Sequence, residues 1–83
     1  MYKNKASDGE NNICGHKVME IRKALPEKTS QRKLADMLQM CGLDIDKNAV
    51  QRIESGKRFV TDIELKVIAR VLNVSYQELL DDR

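Results

Sequence analysis

The sequence predicts an all-α fold, a compact five-helix bundle, and three observations carry that reading. Apolar residues make up 41% of the 83 positions, yet the aromatics are only Tyr2, Phe59 and Tyr76, so the core is aliphatic. An aliphatic core favours packed helices over a sheet, where aromatic and β-branched residues concentrate. Apolar residues recur at three- and four-residue intervals, and residues that cap helices bracket each such segment. The length suits about one small domain. Residues 1–13 are polar, mixed in charge and aperiodic, a flexible segment ahead of a single domain over 14–83. Lys3 and Lys5 would suit an arm on a polyanion, but Asp8 and Glu10 offset them.

Five segments follow in order. Cys14, Val18, Ile21 and Leu25 share one face of a first helix, which Pro26 ends by forcing the preceding residue out of helical geometry. Ser30 caps a second helix from Gln31 to about Met40, with Leu34, Ala35, Met37, Leu38 and Cys41 as its apolar positions. Gly42 supplies the left-handed stop. Asp46 caps a third helix from Lys47 to about Ser55, closed by Gly56, with Val50 and Ile53 turned inward. Thr61 and Glu64 form a capping box for a fourth helix rich in Ile, Leu and Val. Ser75 and Glu78 form another, opening a short last helix that ends near Asp81. Met40, Leu43 and Ile45, in the connection before the third helix, are expected to add a patch to the core.

A net charge of +2 does not identify a partner, so the placement of the charges decides. With Val50 and Ile53 inward, the third helix leaves Lys47, Asn48, Gln51 and Arg52 on its other surface. Arg and Lys donate to guanine O6 and N7, and Asn and Gln pair with adenine in a bidentate way, so this set can read base edges. Lys57 and Arg58 follow at once, leaving Glu54 as the lone acid between 47 and 58. A merely solvated helix face is the bland alternative.

These residues sit in a recognisable order. Ser30-Gln31-x-x-Leu34-Ala35, then Asp46-x-x-Ala49-Val50-Gln51-Arg52-Ile53-Glu54-Ser55-Gly56-Lys57-Arg58, resembles the Cro and phage-repressor type helix-turn-helix family, also termed XRE-like. That family reads T-Q-x-x-L-A followed by S-x-x-T-I-S-x-I-E-x-G-K. Ile68-Ala69-x-x-Leu72-Asn73-Val74-Ser75-x-x-x-Leu79 is similar to its closing block, and the likeness spans about residues 14–80. It implies a lambda-repressor-like bundle binding double-stranded DNA as a small transcriptional regulator, a repressor, with the third helix in the major groove. Lys47, Asn48, Arg52 and, more weakly, Gln51 fall on its base-reading positions. Gln31 falls on a phosphate-holding glutamine, and Ser30, Ser55, Lys57 and Arg58 join it near the DNA backbone. Glu54 is expected to pair with Arg22 and so to serve structure. The connection between the second and third helices is longer than the family's tight turn, so its backbone contacts do not carry over directly.

Other classes fare worse. The single histidine, His16, has no nucleophile or carboxylate pair beside it, and no phosphate loop appears, so an enzyme is not expected. Cys14, His16 and Cys41 lack a fourth ligand and a CxxC pair, so neither metal nor cofactor is expected, and both thiols read as reduced and buried. No run approaches the roughly 20 apolar residues of a membrane helix, and no small-molecule site is evident, so the expectation is a cytoplasmic protein. One short reading helix covers little DNA, which implies a homodimer on a two-fold operator. Phe59, Tyr76, Leu79 and Leu80 serve equally as dimer contacts or as core edge. An antitoxin-like or protein-interaction module on the same fold is the alternative function.

Overall fold

The structure, a computed structural model, describes residues 9–81. Among them are five helices and no strand: α1 (Gly15–Ala24), α2 (Gln31–Met40), α3 (Lys47–Glu54), α4 (Asp62–Leu72) and α5 (Tyr76–Leu80). Lys3 and Lys5 lie outside the described residues.

Local chemistry accounts for each boundary. No side chain of Cys14 caps α1; instead Asn12 Oδ1 accepts from the Gly15 N–H at 2.8 Å. Leu25, just before Pro26, takes an extended conformation and ends the helix. Ser30 Oγ accepts from Lys33 N at the start of α2, and Asp46 Oδ1 accepts from Ala49 N at the start of α3. Complete capping boxes open α4 (Thr61 with Glu64) and α5 (Ser75 with Glu78). Helix α2 closes with Gly42 at φ +89°, the Leu43 N–H reaching back to Leu38 O and the Gly42 N–H to Gln39 O. Asn73 does the same for α4 at φ +58°.

The core is aliphatic. Val18, Leu34, Leu38, Ile45, Val50, Ile53, Ile68, Leu72 and Leu79 are all buried, with Cys14, Ala35 and Ala69 between them. Helix α3 packs against α1 and α2, α4 against α2 and α5, and α5 returns to α1. Helix α3 is therefore held from two sides.

Several expectations change. Of the connecting residues Met40, Leu43 and Ile45, only Ile45 is fully buried; Leu43 packs at the core margin and Met40 is 88% exposed. The cause is the tight closure at Gly42, which turns the chain inward only after Met40 and Cys41 have passed. Cys41 is accordingly exposed, and only Cys14 is a buried thiol. Leu79 is fully buried and belongs to the core alone, whereas Phe59, Tyr76 and Leu80 keep exposed apolar surface. The flexible segment expected through residue 13 does not extend through its described part: Asn11 and Asn12 are hydrogen-bonded to the chain around the end of α3.

Candidate nucleic-acid interface

Helix α3 is anchored through its inner face. Val50 and Ile53 are 1% exposed and Glu54 is 3% exposed. A buried carboxylate needs partners, because desolvation penalises its charged form. Glu54 has three donors on two side chains. Arg22 of α1 donates from Nε to Oε2 at 2.7 Å and from Nη2 to Oε1 at 2.9 Å. Gln31 Nε2, from the first turn of α2, donates to Oε1 at 3.0 Å. The third arm of the guanidinium donates from Nη1 to Thr29 O at 2.9 Å. The bonding to Glu54 raises the Arg22 pKa further, so this cation is permanent. One carboxylate thus joins the first three helices.

On the opposite face Lys47, Asn48, Gln51 and Arg52 are all exposed. Their spacing places them in two adjacent rows along one side of the helix. The start of α3 also borders an open groove against α2, lined by Arg32, Asp36, Gln39, Asp46, Lys47 and Asn48. Arg32 was not among the residues the sequence singled out. It is exposed one position after Gln31, and that neighbourhood was the only signal for it.

The residues expected at the DNA backbone divide. Lys57 is exposed. Ser30 spends its hydroxyl on the α2 cap, and Ser55 Oγ donates to Arg52 O at 3.3 Å. Gln31 uses its amide nitrogen on Glu54, as described. Arg58 departs from the expectation. Its guanidinium is half-buried and makes a bidentate pair with Glu64, both N–O distances being 2.9 Å. Glu64 also accepts from Thr61 N at 3.0 Å, and the Arg58 hydrogen bonds hold its carboxyl below the ordinary range. Two well-aligned charge-assisted bonds outweigh what an exposed arginine gains from solvent, so Arg58 fastens the corner between α3 and α4.

The end of α3 carries a feature absent from the sequence-based reading. Gly56 takes φ +80°, and the N–H groups of Gly56, Lys57 and Arg58 all return to carbonyls of α3. The carbonyls of this same turn are met from outside by Asn11 and Asn12. Gly15 is required here, because a Cβ at that position would overlap the Ile53 carbonyl.

No helix among the described residues is long and apolar enough to cross a membrane. Nor do the described residues include a group of three or more His, Cys, Asp or Glu able to hold a metal ion. A family model described as helix-turn-helix matches residues 18–79, well over half of the chain. No curated protein and no solved structure gives a significant match. With α2 and α3 as the packed helix pair and that match across them, the chain belongs to the Cro and phage-repressor type, XRE-like helix-turn-helix family of DNA-binding regulators.

Proposed function

We propose that this protein binds specific sites on double-stranded DNA as a homodimeric transcriptional repressor, with α3 in the major groove. The observation that carries the reading is the division of α3 into two faces. Val50, Ile53 and Glu54 lock it to the scaffold, while Lys47, Asn48, Gln51 and Arg52 stand exposed together. That set offers donors for guanine and bidentate amides for adenine. A reading helix must be rigid as well as polar, and the Arg22–Glu54–Gln31 junction supplies the rigidity.

Backbone contacts fall to Lys57, to Arg32 beside the α2–α3 groove, and to the start of α2 at the exposed Ser30 and the half-buried Gln31. Ser55 flanks them at the far end of α3. These contacts carry affinity without sequence preference and make it salt-dependent. The repressor role follows the resemblance to phage repressors: a dimer seated on a two-fold site excludes other proteins from that DNA.

Selection of bound sequences from a random duplex pool at low salt tests the proposal. A recovered palindrome with two similar half-sites supports both specific reading and dimer binding. Recovery of no preferred sequence contradicts it, and favours a protein-interaction module using the exposed apolar residues Phe59, Ile63, Tyr76 and Leu80.

A further inference from the structure

The segment before α1 is bonded to the end of α3 in a way that packing alone does not require. The Asn11 N–H donates to Gly56 O at 2.8 Å, and its Nδ2 donates to Lys57 O at 2.8 Å. Asn12 Nδ2 donates to Ile53 O at 3.1 Å and to Arg58 O at 2.7 Å, while its Oδ1 accepts from Gly15 N. One carbonyl of the last turn of α3, Ile53 O, and three of the turn that follows it, those of Gly56, Lys57 and Arg58, are thereby collected by one Asn-Asn dipeptide 41 to 46 residues away in sequence. Glu10 lies against Gly56, where a Cβ would meet its carboxylate. Asn11 Oδ1 is buried with no hydrogen-bond partner among the described residues. Burying an unpaired acceptor is unfavourable, and the donor end of the same amide, which holds the Lys57 carbonyl, offsets that cost.

We infer that Asn11 and Asn12 form a clip that positions the turn after α3, and that through this turn they set where Lys57 meets the DNA backbone. The inference rests on the proposed DNA binding. Lys57 is exposed, but its own carbonyl and the next one are fixed by the two asparagines. A lysine on a fixed stem loses less freedom when it meets a phosphate than one on a mobile turn. Asn11 and Asn12 are positioning residues: they act through Lys57 and through the seating of α3 against α1, and they read no base.

The test is a double-mutant cycle on the full chain with Asn11→Ala, Lys57→Ala and the pair. Affinity for the duplex that the wild-type protein selects is measured over a series of salt concentrations. Asn11→Ala is expected to select the same sequence but bind about two- to tenfold more weakly, with a salt slope shallower by up to about one phosphate contact. In its background Lys57→Ala should cost less than it does alone. Hydrogen exchange without DNA should show faster exchange at the Gly56, Lys57 and Arg58 amides in Asn11→Ala, with α2 unchanged. Asn12→Asp, which keeps the acceptor for Gly15 but loses both donor bonds, should reproduce that pattern. Independent, multiplying losses in the cycle overturn the clip's action through Lys57, and unchanged exchange at 56–58 overturns the clip itself. A wild-type chain that selects no duplex overturns the DNA reading instead.

Discussion

Glu54 sits almost wholly out of water, and its carboxylate oxygens are met there by three donors on Arg22 and Gln31. Removing one member of such a group strands the rest. Arg22→Ala is expected to lower stability by about 3 kcal/mol in urea unfolding, and replacing Arg22 and Glu54 together by apolar residues should cost less than the sum of the single changes. The two cysteines make a second contrast at this scale. Burial pushes the Cys14 thiol up from its ordinary value, while Cys41 is exposed, so a thiol reagent should label Cys41 alone in the folded chain. The third contrast separates neighbours. Lys57→Ala should reduce the salt slope of DNA binding by about one, while Arg58→Ala, already paired with Glu64, should leave the slope unchanged and lower stability instead. Lys47, Asn48, Gln51 and Arg52 could be placed from sequence, because helical periodicity fixes which side chains oppose Val50 and Ile53. Arg58 could not, because Glu64 was already assigned to a capping box and nothing in sequence spacing shows a carboxylate serving two roles. Asn11 and Asn12 were invisible for a related reason: polar residues in an aperiodic stretch give no sign of which distant carbonyls they meet.

At the scale of elements, the helices were legible because their ends carry their own chemistry. Ser30, Asp46, Thr61 and Ser75 each mark a first turn, and Gly42, Gly56 and Asn73 each take the left-handed conformation that ends one. The connection between α2 and α3 was less legible, since apolar residues in a loop do not reveal which of them faces inward. Closure at Gly42 decides it, exposing Met40 and burying Ile45, and Gln39 Nε2 ties the loop down by donating to Ile45 O at 2.8 Å. Gly42→Ala places a side chain in open space but at φ +89°, so only backbone strain is expected, about 1 kcal/mol by thermal unfolding. The α3–α4 corner responds to acid. The Arg58 hydrogen bonds lower the Glu64 pKa from its ordinary 4.5. The corner's contribution is therefore complete above that unfolded-state value and fades as pH falls through the lower folded-state value. Glu64→Gln should lose that part of the acid dependence in unfolding measured as a function of pH.

At the scale of the whole molecule, one face of α3 is committed to the scaffold and the other to solvent, and the scaffold is a single aliphatic core. The all-helical architecture follows from composition and periodicity; which residues join the molecule's two ends of α3 to the rest does not, because those links are polar and long-range. Phe59, Ile63, Tyr76 and Leu80 leave apolar surface exposed, and the proposed dimer gives it a use. The proposal's central claim is that α3 reads bases through its exposed face, and Arg52 is the residue on which it can be tested most directly. The decisive measurement is duplex selection carried out in parallel with wild-type protein and Arg52→Ala. If Arg52 contacts a base edge, its loss should cost about 1–3 kcal/mol in affinity and relax preference at one base pair in each half-site, leaving the other positions intact. A selected motif identical in the two proteins, or a uniform weakening across all sequences, would contradict the claim.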